Sequence, residues 1–360
     1  MSRKSNYKKS HLILTGLLVV QIIGLQILKK YPNVVETYYS LGFYPLVSGL
    51  ARYLFGWIPF SVGDVFYTGL TLLAFRWIII NFKKRKRKPM GLILEITSTI
   101  SVVYFMFHLL WGLNYYRLPL HQSLGIGNEY TYEQLVTTTK TFITKSNELH
   151  KSLAPNDSTI APVPYTQREF FDLTSGGFHN LQKEFPNLQY QPRSIKKSLW
   201  STLLSYMGYS GYLNPFSGEA QVNGRIHFYK FPVVACHEEA HQIGFAAENE
   251  ANFIAILATL KNDDPYLQYA GAIFALRYLL NDVAGQDREE FEKLRAAVAP
   301  GILLSYKESD QFWDDFDNPF DKVFHAFFDG FLKASNQSKG IRSYNYVVAL
   351  LANWDFGQMD

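Results

Sequence analysis

The chain has 360 residues, a net charge of +4, an aromatic content of 16% and a charged content of only 18%. That length is enough for two structural units, and a high aromatic content beside a low charged content points to membrane. A single cysteine, Cys236, excludes an intramolecular disulfide framework, and the basic residues cluster beside apolar segments, which excludes a nucleic-acid-binding reading.

The first apolar run, Leu12 to Leu28, follows Arg3, Lys4, Lys8 and Lys9. No small-x-small cleavage site succeeds it and Lys29-Lys30 flank its end, so it reads as a retained transmembrane helix and not as a signal peptide. Tyr31 to Ile58 is aromatic and semi-apolar with Arg52 inside, which suggests an interfacial or re-entrant segment. Further spans are expected at about 62–82 and 90–111, each near the ~20 residues that cross a hydrocarbon core. The basic run Lys83 to Lys88 between them and the basic N-terminus both belong in the cytoplasm, which places everything after Asn114 on the outer face of a plasma membrane. Arg76 and Glu95 flank that basic run at matching depth, so either the two pair or Arg76 snorkels to the interface. Residues 1–113 therefore read as a transmembrane region and 114–360 as one extracytoplasmic, mainly helical domain.

In that domain Tyr132 to Leu153 has helical spacing with Thr131 as its cap, and the Pro- and Ser-containing stretch to Pro164 reads as an exposed loop. Helices are expected at Gln167 to Phe185 and Ser194 to Met207. Glu219-Ala220-Gln221-Val222 and Arg225 to Tyr229 alternate polar with apolar around Asn223-Gly224, a type I′ turn signal, so they predict a β-hairpin. Helices follow at roughly Glu248 to Lys261, Pro265 to Val283 and Gln286 to Ala297, then within Tyr306 to Leu332 and at Ser343 to Trp354.

Chemistry concentrates in the stretch from Cys236 to Asn252. His237-Glu238-Glu239-Ala240-His241 places two imidazoles one helical turn apart, close enough to share a metal ion. A catalytic zinc site usually takes a third protein ligand and leaves one position for water. Gly244 can end the helix and let a second one, starting near Glu248, return a carboxylate to the ion; Glu248 is the first choice and Glu250 the second. Glu238 would face the water as general base. Apolar Phe231, Val233, Val234, Ile243 and Phe245 surround the motif, so its polar groups are expected to be buried, where they need partners or a metal. Cys236 reads as a small buried side chain and His227 as a solvent-facing one.

His237-Glu-x-x-His241 followed by Glu248-x-x-Ala251-Asn252 resembles the gluzincin branch of the zincin metallopeptidases, although only six residues separate His241 from Glu248 where most gluzincins have more. The short spacing also resembles metzincins, but Ala247 stands where their third histidine would be. Over most of its length the chain is similar to a family of bacterial membrane proteins of unknown function grouped with zincin-type peptidases. The gluzincin resemblance implies Zn²⁺ held by His237, His241 and Glu248, with Asn252 orienting a histidine. It also implies a peptide or protein substrate, which the sheet edge at Glu219 to Val222 would bind by strand addition. His325 and Tyr344 are conceivable oxyanion partners. The expected fold is thus mainly α, with three transmembrane helices leading into a zincin-like helical domain with a small hairpin in a bacterial plasma membrane. Two alternatives stay open: a non-catalytic sensor or scaffold that keeps the fold, and a zinc hydrolase of another cell-envelope amide.

Overall fold

The computed structural model describes residues 9–83, 89–337 and 345–356, and these are mainly helical with one small three-stranded sheet. The N-terminal part holds α1 (Lys9–Leu28), α2 (Pro32–Val34), which runs on through a π-helical stretch (Val35–Phe43) into α3 (Tyr44–Phe55), and then α4 (Val62–Lys83) and α5 (Pro89–Leu110). Three of these, α1, α4 and α5, are long and apolar enough to cross a membrane. A helix satisfies its own backbone, so such segments can turn apolar side chains outward in every direction.

Helix α5 packs along α1, and the seam is polar. His11 Nδ1 lies 2.7 Å from Ser98 Oγ, the Thr15 and Thr97 hydroxyls meet at 2.8 Å, and Gln21 Nε2 donates to Ser101 Oγ at 3.0 Å. Hydrogen bonds of this kind hold apolar helices together where no hydrophobic gain is available. Helix α4 makes no comparable packing with either neighbour among the described residues. Among the described residues no ion pair joins Arg76 to Glu95, and Arg76 is exposed on α4.

A 3₁₀ turn (Gly112–Tyr116) leads into α6 (Leu120–Leu124), α7 (Tyr132–Leu153) and α8 (Gln167–Glu184). Thr131 caps α7 as its sequence suggests, in a capping box with Gln134. Next come β1 (Ile195–Lys197), α9 (Ser201–Tyr206), β2 (Gly211–Asn214) and β3 (Glu219–Val222), then α10 (Lys230–Gln242), α11 (Glu248–Leu260) and α12 (Pro265–Gln286). The chain closes with α13 (Arg288–Ala296), α14 (Pro300–Asp314), α15 (Asp321–Ala334) and α16 (Asn345–Asn353). Helices α10, α11 and α12 form the centre, with Phe231, Phe253, Ile256 and Leu276 fully buried, and α7, α8 and α16 cover them.

The sheet corrects two expectations. Its order is β1-β3-β2, with β1 parallel and β2 antiparallel to β3. The hairpin is therefore β2–β3 around Pro215 to Gly218, and Arg225 to Tyr229 forms no strand. Both edges of β3 are already paired, so the chain has to leave the sheet after Val222. Asn223 is buried, accepting from Arg225 N and donating to Ser205 Oγ, which uses up the side chain that a type I′ turn would have exposed. Likewise the helix expected at Ser194 to Met207 is strand β1 followed by the shorter α9.

Candidate metal centre

Helix α10 is buried along almost its whole length, and the i, i+4 spacing brings the rings of His237 and His241 to 4.6 Å between centroids. Its end is built by Gly244, whose φ of +98° only glycine adopts without strain. Phe245 N donates to Ala240 O at 3.1 Å and Gly244 N to His241 O at 3.0 Å, the paired bonds of a Schellman turn. The turn is gripped from outside. Arg117 Nη1 donates to Gly244 O at 2.8 Å, its guanidinium lies 4.2 Å over the Phe245 ring, and Glu36 accepts from its other nitrogens.

The turn returns the chain so that α11 starts at Glu248, and its carboxylate meets both imidazoles. Oε2 lies 3.3 Å from His237 Nε2 and Oε1 lies 3.7 Å from His241 Nε2. The three donor atoms fall within 4.8 Å of one another, so this trio could hold a metal ion. His241 Nδ1 is 2.6 Å from Phe245 O. A carbonyl oxygen can only accept, so Nδ1 carries the proton and the Nε2 lone pair faces Glu248. Burial, with the neighbouring His237, pushes the His241 pKa down to about 4 and keeps the ring neutral. Burial also lowers the His237 pKa, but Glu248, Glu238 and the nearby Asn252 outweigh it and the net shift is upward. His237 Nδ1 is buried without a hydrogen bond, so Asn252 stands beside the ring without bonding geometry.

Glu238 is almost completely buried, and its Oε2 has no hydrogen-bond partner. Burial, opposed by His237 and reinforced by Glu248, pushes its carboxyl up to about 8. Gly211 on β2 makes room for it, since a Cβ there would stand 2.6 Å from Glu238 Oε1 and 2.7 Å from Gln221 O. Glu250, the second choice as ligand, points elsewhere: its Oε1 accepts from Leu120 N at 2.6 Å. Cys236 is fully buried outside the trio. His227 is paired with Glu308 at 3.1 Å and not left to solvent.

Glu219, Ala220, Gln221 and Val222 do not form a free edge for substrate. All four are buried and β3 is the central strand, so the expected strand addition there is ruled out. Glu219 is instead an anchor for α4. Its carboxylate pairs with Lys196 at 2.9 Å and accepts from Gly63 N at 2.5 Å and Val62 N at 3.2 Å, the free donors of the first turn. Asp64 extends the joint by accepting from Leu199 N at 2.7 Å and from the Tyr212 hydroxyl. The edge strand beside the trio is β2.

The trio and Glu238 open into a cavity of about 850 Å³. His325 lines it, as do Tyr115 and Tyr278, which the sequence reading missed; Tyr344 lies outside the described residues. Burial, then the charge of Glu248, raises the pKa of both tyrosines, so their hydroxyls stay protonated near the carboxylate.

A family model described as a protein of unknown function, DUF3810, matches residues 39–352. The chain belongs to this family. The matched DUF3810 stretch takes in α4, α5, the sheet and the whole His237–His241–Glu248 trio, and begins after α1. No curated protein and no solved structure matches the chain.

Proposed function

We propose that the protein is a membrane-anchored zinc metallopeptidase that cleaves a peptide bond with Glu238 as general base. One observation carries the reading: the lone pair of His241 Nε2 faces a Glu248 oxygen across 3.7 Å, with His237 completing the set. Two acceptors facing each other repel unless a cation lies between them. Zinc sits about 2.0–2.1 Å from such donors, which in a tetrahedron lie roughly 3.3 Å apart. The 3.3 and 3.7 Å separations fit that size, and the fourth side of the trio opens into a cavity.

When bound, Zn²⁺ supplies a water of lowered pKa and polarises the substrate carbonyl. Glu238 takes the proton of the attacking water at its unpartnered Oε2 and passes it to the leaving amine. The Tyr115 and Tyr278 hydroxyls, which line the cavity, would donate to the developing oxyanion. The basic run Lys83 to Lys88 keeps the α4–α5 connection in the cytoplasm, so the site works on the outer face of the membrane.

The test uses the purified full-length protein. One zinc per chain is expected, together with cleavage of a random peptide library read by mass spectrometry. Absence of zinc would sink the reading, whereas zinc without cleavage would assign the non-catalytic sensor role.

A further inference from the structure

The cavity at the trio continues down the membrane-facing part of the molecule. Thr99, Ile100, Val103, Tyr104 and Phe107 line it from α5, and their spacing puts them on one stripe of that helix. From Phe107 to Ile100 the helix descends roughly 10 Å at 1.5 Å per residue. The cavity therefore follows α5 well into the segment that is long and apolar enough to cross a bilayer. Ile100 and Val103 are 48% and 51% exposed. Helix α4 borders the same space through Tyr67 but, among the described residues, makes no extended contact with α5, so the space is open to the side. At its other end are Tyr115, His237, Glu238 and Glu248. Helix α15 forms the opposite wall, with Phe331 at 6.1 Å from both Phe107 and Tyr115 between ring centroids.

A soluble peptide has no long apolar helix to lay along the α5 stripe. A peptide carrying its own apolar helix does, and a stripe at helical spacing that includes Thr99 is the kind of surface on which a second membrane helix packs. We infer that the substrate is a peptide anchored by its own transmembrane helix, which enters sideways between α4 and α5 and is cut just beyond the bilayer. The cleavage rests on the peptidase reading above; the docking of the anchor does not.

The test separates the two. Full-length Glu238→Gln protein carrying photoreactive benzoylphenylalanine in place of Val103 is placed in phosphatidylethanolamine–phosphatidylglycerol vesicles. The probe is a randomised octapeptide joined to an apolar Leu/Ala helix long enough to span. Capture from position 103 is expected to exceed capture from position 102, which is exposed but outside the cavity, at least fivefold. A second pair, 100 against 105, guards against a folding defect at one site. Equal capture within both pairs, with lipid taking the label, overturns the inference. Wild-type protein is expected to cut the anchored library at least tenfold faster than the octapeptides alone. Equal cutting overturns the anchor and leaves the peptidase standing; preferential capture with no cutting does the reverse.

Discussion

His241 Nδ1 and the carbonyl oxygen of Phe245 lie 2.6 Å apart across the Gly244 turn. The turn that ends α10 thereby also sets which nitrogen of His241 is free, so one glycine connects helix termination to ligand geometry. Gly244→Ala would require φ near +98° with a Cβ 3.1 Å from the Tyr44 ring. The expected cost is about 1–3 kcal/mol, seen as a lower thermal midpoint in detergent, together with reduced zinc occupancy.

Glu238→Gln keeps the shape of the side chain but cannot accept the proton. Zinc should remain at the wild-type level while turnover falls about 10²–10⁴-fold. Metal analysis and hydrolysis assays on one preparation check this, and full activity would refute the base assignment.

The two acidic residues at the start of α11 should behave oppositely. Glu248→Gln is expected to lose zinc, because its carboxylate meets both imidazoles. Glu250→Gln should retain it, since a Gln oxygen can still accept from Leu120 N. Zinc lost equally from both variants would contradict the separation of their roles.

Removing Glu219 strands a buried Lys196 and two donors at the start of α4. Glu219→Ala is expected to destabilise the protein by about 3–5 kcal/mol, and adding Lys196→Met should recover part of that. Peptide KM should not move in whatever protein remains folded, because β3 offers substrate no edge.

Lys230 gives a pH dependence. Burial and then Arg277, against Asp310, lower its pKa to about 8. Between pH 8 and the unfolded value of 10.5 the unfolded chain holds a proton that the folded one has released, so stability rises with pH across that window. Below pH 8 both states are protonated and the burial cost is constant. Lys230→Met should therefore stabilise by about 1–3 kcal/mol at neutral pH, and the gain should shrink from pH 8 upward. Thermal melts at pH 7 and pH 10 read the difference.

What could be read in the sequence was what short-range spacing encodes. The long helices, the Thr131 cap, the end of α10 at Gly244 and the start of α11 at Glu248 all follow from patterns within a few residues. Strand β1 was hidden because Lys196-Lys197 looks solvent-exposed, whereas Lys196 is buried by its pair with Glu219. The false hairpin at Asn223-Gly224 arose because a turn signal carries no information about which strand edges are already occupied. Tyr115 and Tyr278 were invisible for a related reason, since they reach the cavity from distant parts of the chain and neither stands in a local motif.

The last carbonyls of α10 receive their donors from the first third of the chain. Tyr44 Oη donates to Gln242 O at 3.0 Å, Ser48 Oγ to the same oxygen at 2.7 Å, and Trp111 Nε1 to His241 O at 3.2 Å. The N-terminal portion is thus a supporting wall of the metal-candidate helix and no mere leash. A fragment starting at Asn114, cut free for convenience in the laboratory, would bare these oxygens and the aromatic seam around them, and should precipitate instead of yielding a soluble domain.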